Sequence, residues 1–227
     1  MRYLSELFEL LNIEAINQGL YELALTHPSC NSEANTKHQD YERLEFVGDS
    51  VIGFVSADLI FKLHGEMDQG LMSKLRSYLV CSKSLANYSR KIELYKFIRI
   101  GHSISLSQLE KSDKILEDVF EALMGAIYLD LGIDVAYRVI KNFLFDDIKN
   151  TGIEELVDAK TKLQEDIQSE YREAVKYELI DEYGPAHDRT FEFQVTFNGL
   201  VLGKGIGKSK TAAEEAAAKD ALRKRSV

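Results

Sequence analysis

Glu42, Glu45 and Asp49 recur at intervals of three and four residues, and Asp118 and Glu121 repeat the three-residue interval further along. At about 100° per residue, the first three fall within about 60° of one another on a helix, and the second two stand one turn apart. Both sets sit in apolar helical sequence, Leu44 through Leu63 and Ile115 through Leu131. A carboxylate there is costly unless it is paired or bound to a metal. Two such segments packed together would gather up to four carboxylates around one point. An all-oxygen site of that kind suits Mg²⁺ or Mn²⁺, not zinc. The chain has neither the Glu-x-x-His pairs of di-iron bundles nor a Cys/His cluster. Taken alone, each acid set also fits a solvated helix face, or ion pairs with Arg43, Arg76 or Lys114. Gly48 and Gly53 each cost a helix roughly 1 kcal/mol, so something is expected to approach closely there. Leu44, Val47, Val51 and Phe54 lie on other faces and are expected to pack.

Stepping from these residues to the elements that carry them, the chain reads as two unlike parts. From residue 1 to about 149 apolar residues recur at helical spacing, as in Leu4-Leu7-Phe8-Leu11, and an all-α bundle is expected. Asn150-Thr151-Gly152 breaks the pattern, and residues 150–157 read as a linker. A helix follows over roughly Asp158–Glu170, with Asp158 as its N-cap. The period then changes. Val175-Tyr177-Leu179 and Phe191-Phe193-Val195-Phe197 alternate with polar residues, as strands with one buried face do. Asn198-Gly199 marks a two-residue hairpin before Leu200-Val201-Leu202. A last helix starts near Ser209, with Thr211 and Glu214 as an alternative capping box, and its many alanines suit close packing on a sheet. Residues 158–227 therefore form a small α+β domain of order α-β-β-β-α.

Composition narrows the function classes. The 227 residues carry a net charge of −9, with 45% hydrophobic and 29% charged residues, ordinary for a globular protein. Nothing approaches the roughly 18 apolar residues of a membrane span, and the N-terminus lacks a signal-peptide core. Two cysteines, Cys30 and Cys81, are too few for a disulfide framework, so a cytoplasmic location is expected. The overall acidity argues against nucleic acid, but residues 203–227 hold seven Lys/Arg against three Asp/Glu, a local +4. No Gly-rich phosphate loop of the Walker or dinucleotide type occurs, and no small-molecule organic cofactor is expected.

The nonapeptide Glu42-Arg43-Leu44-Glu45-Phe46-Val47-Gly48-Asp49-Ser50 resembles the signature of the bacterial ribonuclease III family. Leu25-Thr26-His27-Pro28-Ser29 and Glu117-Asp118-Val119-Phe120-Glu121-Ala122-Leu123-Met124-Gly125-Ala126 resemble the same family. The C-terminal part resembles its double-stranded-RNA-binding domain. The cues are Lys160-Thr161-Lys162-Leu163-Gln164-Glu165, Gly184-Pro185-Ala186-His187 and Gly207-Lys208-Ser209-Lys210. The motifs cover nearly the whole chain in order.

The resemblance implies a metal-dependent endonuclease that cuts both strands of double-stranded RNA. Glu45, Asp49, Asp118 and Glu121 would bind two Mg²⁺ ions, for which Mn²⁺ substitutes, and activate the water that leaves 5′-phosphate and 3′-hydroxyl ends. Asp49 and Glu121 would matter most for the chemical step, with Glu42 in support. It further implies a homodimer with Phe46 at the interface, two-nucleotide 3′ overhangs, and processing of ribosomal RNA precursors and messenger RNA. Duplex RNA is read through 2′-hydroxyls and phosphates over about 16 base pairs. Gln164 and His187 would face successive minor grooves, while Lys208 and Lys210 at a helix N-terminus would grip the phosphates between. Two departures stand out: Gln69 replaces a usual Glu at an accessory contact, and Ala159 replaces a common proline, which is expected to loosen the linker. Two other readings remain open: a non-catalytic duplex-RNA binder, and a helical hydrolase of small phosphates suggested by His187-Asp188.

Overall fold

The computed structural model describes residues 3–34, 40–102, 104–152, 159–185 and 188–225. It divides into two compact units, Met1–Thr151 and Gly152–Val227. The first is helical: α1 (Leu4–Leu11), α2 (Gln18–Ala24), α3 (Ser29–Ala34), α4 (Glu42–Leu63), α5 (Gln69–Leu79), α6 (Ser82–Lys91), a 3₁₀ turn at Leu94–Lys96, α7 (Leu106–Lys111), α8 (Asp113–Leu131) and α9 (Ile133–Asn150). Asn150 is thus helical and not linker. Residues 153–158, including Asp158, lie outside the described residues.

Polar side chains start several helices by accepting otherwise orphaned N–H groups. Asp68 accepts from Leu71 (2.8 Å), with Gln69 as the first residue of α5, and Ser112 accepts from Ile115 (3.3 Å) at the start of α8. Asp40, itself buried and hydrogen-bonded by Asn31, accepts from Glu42 N–H at the start of α4. Helix α8 is the axis of the unit. Every residue from Val119 to Ile127 is buried, and α4 lies along it. On the other side of α4, Phe46, Phe54 and Phe61 are all exposed, which for Phe54 departs from the expected packing. At 100° per residue they share one face, so α4 is apolar on two sides and covered on one within this chain.

The second unit comprises α10 (Ala159–Tyr171), β1 (Lys176–Tyr183), β2 (Thr190–Phe197), β3 (Leu200–Gly207) and α11 (Lys210–Arg225). The strands form an antiparallel sheet of order β1-β2-β3. Asn198 and Gly199 both have positive φ (49° and 79°), as the tight β2-β3 turn requires. Leu163, Ile167, Val175, Val195, Ala217, Ala218 and Ala221 make the core. In β1 the alternation fails part way: Val175 is buried and Tyr177 half-buried, but Leu179 is 44% exposed. A bulge between Leu179 and Asp181 breaks the register there.

Glycines on β3 explain how α11 fits. A Cβ on Gly203, Gly205 or Gly207 would come within 2.1–2.5 Å of α11 backbone atoms, Ala217 N being nearest, at Gly205. Alternate glycines on one strand and alanines on the facing helix therefore let two backbones pack with almost no side chain between them. At the other end, Ala159 N–H donates to Glu215 Oε1 (2.8 Å) and Lys160 pairs with Glu214 (2.5 Å), tying the start of α10 to α11. A proline at 159 has no N–H to give. Alanine at this position thus supplies a tie between α10 and α11 within the second unit.

Candidate active site and nucleic-acid interface

Two glycines set the distance between α4 and α8. A Cβ on Gly48 would lie 1.7 Å from Glu121 O, and one on Gly125 would lie 2.3 Å from Leu44 O. The helices cross with backbone against backbone, and the acids on either side of the crossing are brought together. Gly53, by contrast, faces open space in this chain.

Glu45 from α4 and Asp118 and Glu121 from α8 converge, each offering a carboxylate oxygen, all within 4.8 Å of one another. Asp118 and Glu121 are only 6% and 8% exposed. Asp49 stands one turn beyond Glu45 on α4 and is exposed, as is Glu42. Asp49 lies outside the tight group, though its charge acts on Glu121.

Burial, followed by repulsion from Asp49 and Glu117, pushes the Glu121 carboxyl up to about 8. Glu45 is raised for the same kind of reason, burial first and then the Asp118 charge. Like charges in a poorly hydrated space disfavour ionisation. Part of the repulsion is relieved locally. Lys114 Nζ comes to 2.7 Å from Asp118 Oδ1, 3.7 Å from Glu117 and 3.9 Å from Glu45. Tyr41 Oη donates to Asp118 Oδ2 (3.3 Å), and the His27 ring stands edge-on to Tyr41. Asp118 Oδ1 is nonetheless buried without an aligned hydrogen bond, since the Lys114 approach is a charge contact.

A buried, hydrogen-bond-deficient carboxylate oxygen in an all-oxygen donor set fits a hard divalent cation. Opposite ligands of Mg²⁺ stand about 4.2 Å apart, twice the metal–oxygen distance, close to the spread found here. Lys114 and Glu117 enter the cluster although their spacing reads simply as a surface i,i+3 and i,i+4 set. Tyr41 precedes the signature and carried no sequence cue.

In the second unit the proposed RNA-facing residues occupy distinct places. Gln164 is half-buried, and its Oε1 accepts from Val175 N–H (3.2 Å), joining α10 to the entry of β1. Lys208 and Lys210 are exposed at the N-terminus of α11. Ser209 caps that helix through Ala212 N–H (3.1 Å), which settles its start in favour of Ser209 over Thr211. Lys208 pairs with Asp188 (2.7 Å), and Lys210 lies over the Phe191 ring (6.0 Å). His187 lies outside the described residues.

Phe46 is 77% exposed on α4. Cys30 and Cys81 are not in a disulfide. Among the described residues, no helix is long and apolar enough to cross a membrane.

Comparison with known proteins agrees with this geometry. Residues 17–148 match the ribonuclease-III-like family model, and residues 159–225 match the double-stranded RNA binding motif. Ribonuclease 3 of Onion yellows phytoplasma is 40% identical over 224 residues, covering 99% of this chain and 92% of that protein. Ribonuclease 3 of Caldanaerobacter subterraneus subsp. tengcongensis is 41% identical over 223 residues, 97% of each chain. The crystal structure of the nuclease domain of ribonuclease III from Campylobacter jejuni superposes with a TM-score of 0.59 at 30% identity, covering 67% of this chain and all of that one. A second structure of that domain, described for flexibility in a region involved in its dimer formation, gives 0.58 at 30% identity, covering 63% of this chain and 97% of that one. With the helical unit and the appended α-β-β-β-α unit each matching its family model, and relatives at about 40% identity over nearly the whole length, the chain belongs to the ribonuclease III family of endoribonucleases.

Proposed function

We propose that this protein hydrolyses phosphodiester bonds in both strands of double-stranded RNA, using divalent cations, Mg²⁺ with Mn²⁺ as substitute. The observation that carries this reading is the Glu45–Asp118–Glu121 oxygen cluster, with Asp118 and Glu121 buried, in a chain that also has a duplex-RNA-binding unit. Glu45, Asp118 and Glu121 would hold the first ion, and Asp49, beside them, would extend the site to a second. Cations held by these residues would activate the attacking water and offset charge on the entering and leaving oxygens. Asp49 and Glu121 are the carboxylates assigned most weight in the chemical step, and Glu42 supports them from the turn before. Burial and its acidic neighbours raise the Glu121 carboxyl, and a cation held there would favour its ionised form. Tyr41 keeps Asp118 oriented by its hydroxyl. The products carry 5′-phosphate and 3′-hydroxyl ends with two-nucleotide 3′ overhangs.

Cutting both strands calls for two sites, and a two-fold dimer relates them as the strands of a duplex are related. The exposed face bearing Phe46, Phe54 and Phe61 supports such an interface, and Gly53 on that face leaves room for a partner helix. Residues 1–150 supply the nuclease, the linker follows the end of α9 at Asn150, and 158–227 supply the RNA grip. In that grip Gln164 keeps its Nε2 donor for a 2′-hydroxyl, His187 reaches the next minor groove, and Lys208 and Lys210 meet phosphate beside a helix N-terminus. The substrates are ribosomal RNA precursors and other structured transcripts of the cytoplasm, messenger RNA included.

Incubation of long duplex RNA with the protein, with and without Mg²⁺, tests the reading. Metal-dependent cutting by the wild type, and binding without cutting by Glu121→Ala, is the expected result. Wild-type protein that binds duplex RNA yet leaves it whole with Mg²⁺ and with Mn²⁺ would show that it is a binder only.

A further inference from the structure

Lys114 has no part in the proposed chemistry, yet it is the cation that the acidic cluster already holds. Its ammonium touches carboxylates from both helices: Asp118 and Glu117 on α8, and Glu45 on α4. The approach to Asp118 Oδ1 is close but not aligned as a hydrogen bond, and the side chain is 70% exposed. A lysine stem of this kind is long, rotatable and free to leave toward solvent, and the ammonium is a point charge without fixed directional demands. The carboxylates it contacts include two of the three that a divalent cation would use.

We propose that Lys114 is a resident counter-cation: it holds the α4 and α8 carboxylates together in the metal-free protein and competes with the entering ion for them. The proposal rests on the metal-site reading above. Two physical consequences follow. Without metal, the ammonium offsets repulsion that the helix crossing alone does not relieve. With metal, its charge would oppose a doubly charged ion held by the same carboxylates, so binding would be favoured by its swinging out. Lys114 is a positioning residue that trades intrinsic metal affinity for order in the empty site.

Calorimetric titration of Mn²⁺ into the full chain, paired with thermal unfolding in a chelator, tests this with no reliance on cleavage. Lys114→Met keeps the stem and removes the charge, while Lys114→Arg keeps the charge. Lys114→Met is expected to bind Mn²⁺ about tenfold more tightly than wild type, the size of a partly screened charge contact. It should also melt at lower temperature in chelator and gain more from added metal. Lys114→Arg should stay within about twofold of wild type. Lys114→Gln provides the same charge removal if the methionine variant does not fold. Affinity unchanged or weakened in the neutral variants overturns the counter-cation role while leaving the metal site standing. Absence of Mn²⁺ binding by the wild type overturns the metal site and this inference with it.

Discussion

The closest approach in the first unit is the crossing of α4 and α8, and adding one methyl group there tests the whole account. In Gly48→Ala the new Cβ would sit 1.7 Å from Glu121 O, whereas real contacts of that kind do not fall below 3.0 Å, a shortfall of 1.3 Å. The clash is with backbone, so no rotamer change relieves it and the helices must separate. Moving α8 outward by that amount would widen the oxygen cluster from 4.8 Å toward about 6 Å, well past the roughly 4.2 Å across a bound Mg²⁺. Overpacking costs about 1–3 kcal/mol, and the gain of up to about 1 kcal/mol from replacing helical glycine offsets only part. Gly125→Ala gives a graded comparison, since its Cβ would stand 2.3 Å from Leu44 O, a shortfall of 0.7 Å. Urea unfolding followed by circular dichroism in chelator, with Mn²⁺ titration of the same samples, should rank wild type above Gly125→Ala above Gly48→Ala in both stability and metal affinity. Gly48→Ala that binds metal as wild type does would refute the claim that the glycine crossing builds the site.

Three further outcomes are expected. The metal-free protein should lose stability as pH rises from about 4.5 to 8: the folded chain keeps a proton on Glu121, raised to about 8 by burial and its acidic neighbours, that the unfolded chain has released. The slope is up to about 1.4 kcal/mol per pH unit, and Glu121→Gln should flatten it in urea titrations with chelator; parallel curves would rule out Glu121 as the source. Lys208→Ala combined with Lys210→Ala should weaken duplex RNA binding across sequences and shallow its salt dependence by about two charges, read by filter binding at several salt concentrations. Gly205→Ala places a Cβ 2.1 Å from Ala217 N, so hydrogen exchange should report loss of protection in the second unit, with α8 still protected.

Much of this was legible in the residues. Acids at three- and four-residue spacing located α4 and α8, and turn chemistry at Asn198-Gly199 located the β2-β3 hairpin. Periodicity tells which residues share a face but not what lies opposite it. Phe54 therefore reads as core and is exposed, and Gly53 reads as crowded and meets nothing in this chain. Leu179 reads as buried and is exposed, at the point where the β1 register breaks. Pairing of the acids with Lys114 is legible for Glu117 and Asp118, three and four residues along α8; only its contact with Glu45 depends on the distance between two helices remote in sequence. The glycines of β3 make sense only with the alanines of α11 in view.

The ties between α10 and α11 have a bearing on how the molecule is made. Ala159 and Lys160 close the start of α10 with carboxylates that follow more than fifty residues later, and α11 also roofs the glycine strand. During synthesis the catalytic unit emerges first and domains tend to fold in that order. A growing chain would thus own its cutting machinery before the last helix arrives to shut the module that grasps RNA.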